Sequence, residues 1–414
     1  MAETDKTPMF AGLRVLDLTQ YIAGPMAAKL MSDLGAEVIK LEIAPRGDMM
    51  RHYGPPQGQS APFLSENRGK KSLCFDLKRP EGGELMRDLA RHADVLIENW
   101  TPGVLAKYGV SYEALSPLNP RLIMCSLSGF GQSGPYANRP GNDLIAFAAS
   151  GILNLVGEAD GPPLYPGTGT LADSIGGVHA FASICAALYH RERTGRGEFI
   201  DLALVDALSH LTSVPIAMRS VLGPRYQASR GGAHLAGLTP CGIFRARDGF
   251  IALTVLIQQF EMFAQLIGQP ELPADPRFDT HEHRNANRLE LIRIVEDWLQ
   301  SFPSRYEPLA MLQDAHILCA PVLDTEGVMN DRHNVARGFL HEIEQPGAGR
   351  VSLPAAPFHF SESPVEIRGR APRLGEDNAW VLREILGYSP EKIEQMAREG
   401  ILFNTPAESG QPDS

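Results

Sequence analysis

The chain has 414 residues, 43% of them hydrophobic, which is enough for two or three domains with substantial cores. Lysine and arginine number 38 against 49 acids, and the resulting formal charge of −11 excludes the basic face of a nucleic-acid binder. Five cysteines, odd in number and without a CxxC pair, exclude a disulfide framework or a cysteine zinc cluster and fit a reducing cytoplasm.

The opening MAETDKTPMF lacks a basic stretch followed by an apolar one, and no uninterrupted apolar run reaches the roughly 18 residues that span a bilayer. The expectation is a soluble, unprocessed, cytoplasmic protein with no membrane partner. Residues 13–42 then read as strand, turn, helix and strand. Val15–Leu16 with Leu18 is short and apolar, Gly24-Pro25 supplies the turn, Met26–Leu34 has helical spacing, and Gly35 ends the helix before AEVIKLE. The alternation continues through the strand KKSLCFDL, the helix PEGGELMRDLARHA, the strand DVLIENW and the strand RLIMCSLSGFG. Such alternation predicts an open, largely parallel α/β sheet.

A long apolar helix is predicted after Asp173, stopping at HRERTGRG, and EFIDLALVDALSHLTSVPIAM reads as a strand running into a helix. The glycine- and proline-rich residues 220–240 mark a boundary or exposed loop. Beyond them, CGIFRARDGFIALTVL predicts a hairpin around Asp248-Gly249, followed by helices at Gln258–Ile267, Arg288–Ser301 and Arg305–Ala315. VSLPAAPFHFSESP is expected to be extended, two short helices follow with Ser389-Pro390 as a start signal, and the tail NTPAESGQPDS is expected to be disordered. There is no internal repeat.

Glu42, at the end of the second strand, imitates the ribose-binding acid of a dinucleotide site. The imitation fails at the glycines, because TQYIAGPMAAKL has a single glycine where G-x-G-x-x-G lets the backbone approach a pyrophosphate. The more informative carboxylate is Asp173 in GTGTLADSIGG. An aspartate before a helix commonly caps it. The same position would keep the carboxylate ionised, and hence nucleophilic, through the helix dipole and the free N–H groups. Ala172, Ser174 and the surrounding glycines would leave room for a bulky electrophile.

The segments GLRVLDLTQYIAGPMAAKLMSDLGAEVIKLE, NRGKKSLCFDLK, ADVLIENWTPGVLAKYG, NPRLIMCSLSGFGQSGPYANRPGND, LADSIGG, ALYHRERTGRGEFIDLAL, CAPVLDTEGV and PRLGEDN occur in an order that closely resembles the class III CoA-transferases. These are the CaiB/BaiF-like formyl-CoA and carnitine CoA-transferases, and the resemblance runs from about Phe10 to Gln395. It implies that Asp173 attacks an acyl-CoA thioester, giving a mixed anhydride and then an aspartyl-CoA thioester. Coenzyme A and acyl-CoA would be substrates, a small carboxylic acid the acceptor, and no tightly bound cofactor or metal would be needed.

The resemblance further implies CoA contacts at Lys78, Lys107 and Arg139, with Arg46 less firmly placed. Phe75, Asp76, Leu77 and Lys78, and Asn99, Trp100 and Thr101, close predicted parallel strands, where open α/β sheets bind ligands. Trp100 would pack on adenine or, equally, on its own sheet. Gly129–Tyr136 lacks the lysine of a Walker motif and reads as a turn near the CoA path. Arg230–His234 reads as a short mobile loop or a plain hinge. The substrate pocket is expected at Ile22, Tyr136 and Asn142, with Met49, Tyr53 and Gln258 as further neighbours.

Related α-methylacyl-CoA racemases need a histidine and an aspartate as paired bases. Here Asn142 stands in the histidine's place, LIQQFEMF stands where the racemases carry a glutamate-proline, and His179 and His234 are the remaining histidines to consider. An asparagine amide cannot exchange a proton near neutrality. A catalytically silent CoA-binding subunit is the third reading, opposed by the intact Asp173. The implied organisation is a Rossmann-like large domain (1–200 and 352–414, disordered from about 404), linkers at 201–225 and 336–351, and an inserted small α+β domain at 226–335. The family's interlocked homodimer would place each active site between the large domain of one subunit and the small domain of the other.

Overall fold

The computed structural model describes residues 6–54, 60–167, 169–235 and 237–405; the tail 406–414, expected to be disordered, lies outside them. The chain divides into one unit of residues 1–150, 167–212 and 333–414, and a second of 151–166 and 213–332.

The first unit is built on six strands: β1 (Arg14–Leu18), β2 (Glu37–Ile43), β3 (Lys71–Phe75), β4 (Val95–Glu98), β5 (Ile123–Ser128) and β6 (Phe199–Ala203). All pair in parallel, in the order β3-β2-β1-β4-β5-β6. Parallel strands are covered on both faces, which is why β4 reads as an unbroken VLIE and is buried throughout. The order reverses between β1 and β4, so the crevice outside the ends of these two strands is where such sheets receive ligands.

The helices preceding residue 223 are α1 (Ala23–Asp33), α2 (Ala61–Asn67), α3 (Pro80–Arg91), α4 (Tyr112–Leu115), α5 (Asp143–Ala149), α6 (Leu171–Thr194), α7 (Leu204–Leu211) and, in the second unit, α8 (Ser213–Leu222). α6 satisfies the length and hydropathy of a membrane span, 1.4 on average over 18 residues, although its apolar run is interrupted. Its apolar side is used inside the unit instead. Val15, Ala27, Ala28, Met31, Val38, Ile97, Ile123, Ala180 and Ile184 form one core between α1, α6 and the sheet. Gly177 permits that approach, because a Cβ there would lie 2.6 Å from the Ala23 carbonyl oxygen and 2.7 Å from the Met26 Cβ. Gly176 does the same for α7, with Leu204 Cδ2 only 2.3 Å from its notional Cβ. These two glycines therefore serve helix packing and do not open space for an electrophile.

The second unit holds the predicted hairpin, β7 (Cys241–Ala246) with β8 (Gly249–Thr254), and β9 (Leu318–Pro321) pairs antiparallel on β8. Phe244, Ile251, Phe260, Phe263, Phe278, Leu291 and Leu312 fill its core.

Three stretches differ from expectation. Residues 201–225 are not a connecting linker but the end of β6 followed by α7 and α8. Residues 336–351 contain most of an antiparallel hairpin, β10 (Leu340–Gln345) with β11 (Gly349–Pro354), turned at Gln345–Gly349. Residues 151–166 belong to the second unit rather than the first. The β10 and β11 segments, LHEIEQ and GRVSLP, bury only Gln345 and Leu353, so they lack the strong apolar periodicity by which strands are recognised.

Candidate active site

Asp173 is the third residue of α6, and the residue preceding that helix is Thr170. It does not cap the helix, so the simplest alternative for this aspartate falls. Nor is its carboxyl held ionised: burial, and then the neighbouring Asp143 carboxylate, push it from 3.8 up to about 7. No cation or donor among the described residues offsets these two effects. Asp143 opens α5 and its Oδ1 accepts the Asp173 backbone N–H at 3.1 Å. The start of α5 and the first turn of α6 are thereby joined through a second carboxylate. A carboxyl in this setting is more basic than a solvated aspartate.

Asn142 caps α5, its Oδ1 accepting the Ile145 N–H at 3.1 Å, so its role is local and it supplies no proton. The loop leading to it leaves β5 at Gly129 and returns past Gly141. A Cβ on Gly129 would lie 2.9 Å from the Gly141 Cα, so only glycine permits this crossing. Within the loop, Tyr136 is exposed, stands edge-on to Phe130 at 6.0 Å, and carries the Arg139 guanidinium 3.6 Å above its ring. The arginine is held as a cation over an aromatic face, in solvent and without a carboxylate partner.

At the reversal point, Asn99 clamps the loop after β1 to the loop after β4. Its Oδ1 accepts the Gln20 N–H at 2.8 Å and its amide donates to the Gln20 carbonyl at 2.7 Å. Trp100 Nε1 donates to the Leu18 carbonyl at 2.9 Å and its ring packs on the sheet's core, so the tryptophan is bound to its own sheet. Thr101 is exposed beside it. Glu98, beneath them, is raised to about 7 by burial, which hydrogen bonds from Ser126 and the Trp100 N–H only partly offset.

At the end of β3, Phe75 and Leu77 are core residues and present no side chain to a ligand. The closing segment of the unit covers them, Asp76 N–H donating to the Ile401 carbonyl and Phe403 N–H to the Cys74 carbonyl. Asp76 accepts the Lys78 N–H at 3.0 Å, and Lys78 itself is exposed. Lys107 is exposed at the end of the turn Leu105–Tyr108. The β3 group and the β4 group lie at the same edge, three strand spacings or about 14 Å apart.

Ile22 is another correction. It is 7% exposed and packs with Met50, Phe63, Leu64 and Ala371, so it belongs to a small core and not to a pocket wall. Met49 is half-buried, Tyr53 and Arg46 are exposed, and Gln258 is exposed in the second unit's turn Ile257–Gln259.

Beneath β1 to β3 lies a set of buried charges that sequence reading missed. Lys70 pairs with Asp17 at 2.7 Å, Lys40 with Asp48 at 2.8 Å, and Arg51 holds Glu42 through two bonds of 2.7 Å. Burial would raise Asp17 and Glu42, but Lys40 and Lys70 on the first and Arg51 on the second outweigh it and leave both carboxyls below their ordinary range. Asp48 Oδ1 also accepts the Tyr21 N–H at 3.1 Å. Tyr21 is held there at φ 66°, a left-handed conformation that costs a non-glycine residue about 1–3 kcal/mol.

The sequence profile of CoA-transferase family III matches residues 10–378. This chain belongs to CoA-transferase family III. It is 36% identical over 408 residues to the succinyl-CoA–L-malate CoA-transferase beta subunit of Chloroflexus aurantiacus, covering 97% of this chain and 100% of that one. It is 33% identical to the mouse succinyl-CoA:glutarate CoA-transferase, covering 97% and 92%. Among solved structures, a CaiB/BaiF family protein from Brucella suis superposes with a TM-score of 0.83 at 35% identity, covering 92% of this chain and 100% of that one.

Lys78, Lys107 and Arg139 form no ion pair with a carboxylate among the described residues, whereas the cations under β1 to β3 are each paired with one. Asp143 was legible as a second carboxylate in GND, thirty residues before Asp173, but only the fold puts the two in contact.

Proposed function

We propose that this enzyme moves CoA from a donor thioester to a small acceptor carboxylate, with Asp173 as the covalent carrier. An Asp173 carboxylate oxygen attacks the thioester carbonyl and expels the CoA thiolate, leaving a mixed anhydride. The thiolate then attacks the aspartyl carbonyl, the donor acid departs, and an aspartyl-CoA thioester remains. The acceptor carboxylate attacks this thioester and releases the thiolate, which finally attacks the new acyl carbonyl and frees Asp173. Every step exchanges one activated acyl linkage for another, so the protein's main duty is to exclude water. The observation that carries this reading is the Asp173 carboxyl, raised to about 7 in the first turn of α6 with no cation to quench it.

Lys78, Lys107 and Arg139 are assigned to the phosphates of CoA, and Asp76, Asn99, Trp100 and Thr101 to the loops that flank it, Trp100 through its exposed edge. Tyr136, in the loop that runs into Asn142 and Asp143, is assigned to the acyl end. The names of the relatives point to a succinyl-CoA donor and a small di- or hydroxycarboxylate acceptor such as malate or glutarate. The assembly is inferred to be an interlocked homodimer. α8 buries none of its residues within the chain and exposes Val214 at 70% and Val221 at 80%, as a subunit contact would require. The five free thiols suit a cytoplasmic enzyme.

The test is incubation with succinyl-CoA and a panel of acids, with mass spectrometry of both products and the Asp173 peptide. CoA on that peptide, removed by hydroxylamine, is the expected result. Exchange without any mass change at Asp173 would refute the reading. Native mass spectrometry separately tests the dimer.

A further inference from the structure

A hollow of about 390 Å³ lies in the first unit beside the β10–β11 hairpin, within the range that small ligands fill. Its wall brings Lys6 together with Arg337, His341, Phe358, His359 and Phe360. No carboxylate lines it, in a chain whose acids outnumber lysine and arginine by 49 to 38. The hollow between α3 and the helix Pro390–Arg398 is the opposite case, walled by Glu81, Glu84, Asp88 and Glu399 against the single cation Lys392.

The basic side chains of the first hollow are not engaged by acids. Arg337, His341 and His359 form no ion pair among the described residues. Lys6 donates one hydrogen bond, at 2.8 Å to the Ser361 carbonyl, which holds the ammonium at the rim with donors remaining. The aromatic part of the wall is equally ordered. Phe358 stacks on Phe181 of α6 at 5.7 Å and 19°, and Phe360 leans against Phe358 at 6.2 Å with 40% of its surface exposed. A guanidinium fork and an ammonium suit a phosphate, and exposed aromatic faces suit a planar ring.

We propose that this hollow is a second binding site, for an organic phosphate that carries a planar ring. It is separate from the proposed chemistry, since Phe181 lies about two turns beyond Asp173 along α6. The inference does not rest on the transferase reading.

The experiment is calorimetric titration of the full chain with ADP, in the presence of saturating CoA so that any site for the CoA nucleotide is already filled. One ADP per chain is expected to bind, about tenfold more weakly in an Arg337→Gln/His341→Gln double variant, in which both replaced side chains are exposed. Phe360→Ala should weaken ADP by several-fold and leave pyrophosphate, itself about tenfold the weaker ligand, unchanged. The absence of an ADP signal over CoA, or equal ADP affinity in the double variant, would overturn the site. Equal affinities for ADP and pyrophosphate would overturn the ring.

Discussion

Asp17 and Glu42, under β1 to β3, are buried beside Lys40, Lys70 and Arg51 and lie below the ordinary carboxylate range. Glu98, buried at the end of β4, and Asp173, half-buried in the first turn of α6, have no cation acting on them among the described residues and rise to about 7. Desolvation pushes all four carboxyls up, so the partner decides the sign. The first region holds the loops in place; the second contains the carboxylate to which the proposed chemistry is assigned. Buried charge by itself therefore does not mark a site in this fold.

That contrast can be broken from either side. Asp173→Ala should lower CoA exchange by about ten-thousand-fold or more while CoA binding, followed by calorimetry, changes little. Retained turnover would remove the second region's claim to chemistry. In the first region, Lys40→Met strands Asp48 and leaves Asp17 to Lys70 alone, and urea unfolding should show a loss of about 3–5 kcal/mol. A neutral result would mean that the network is not structural.

The sign of stability against pH offers a sharper comparison. Asp173 binds its proton more tightly folded than unfolded, so its contribution to stability is lost as pH rises from 3.8 toward about 7, and its full cost is present above that. Asp173→Asn should accordingly stabilise the fold at pH 8 by roughly 2 kcal/mol, after allowance for partial exposure, and by little at pH 4. Exchange by the unaltered enzyme should fall about tenfold per unit below the Asp173 pKa, as the nucleophile takes up its proton. Gly177→Ala meets the Ala23 carbonyl and Met26, and should cost about 1–3 kcal/mol by thermal unfolding. Smallest is Asp143→Asn, which keeps an acceptor for the Asp173 N–H and removes the neighbouring charge. The acid limb of its pH–rate profile should move down by about one unit or less, and an unmoved limb would leave burial as the whole cause.

Much of the large unit is legible in the residues. β1 to β5, α1, α3 and α6 each carry a short apolar run or helical spacing closed by glycine or proline signals, and Asp173 stands out beside its glycines. The remainder depends on pairing in space. Lys40, Lys70 and Arg51 look like surface cations in sequence, because nothing local shows that Asp17, Asp48 and Glu42 will be folded against them. Ile22 is expected among the pocket's neighbours, yet the chain around Ala371 returns to bury it. Phe75 and Leu77 were similarly misjudged, since their cover comes from residues near 402. The β10–β11 hairpin is not legible because each strand buries only one residue.

The strand order is the one that, in other proteins, accommodates a nicotinamide dinucleotide, and Glu42 occupies the place of the sugar-reading acid. Its oxygens are taken: Ser72 Oγ donates to one at 2.7 Å, the Asp48 N–H to the other at 3.0 Å, and Arg51 grips both while also donating to the Pro372 carbonyl. Grafting the missing glycines onto the first turn would thus give no redox enzyme. Freeing that acid for a hydroxyl would first unfasten the Met49–His52 turn from the strand behind it and from the returning polypeptide.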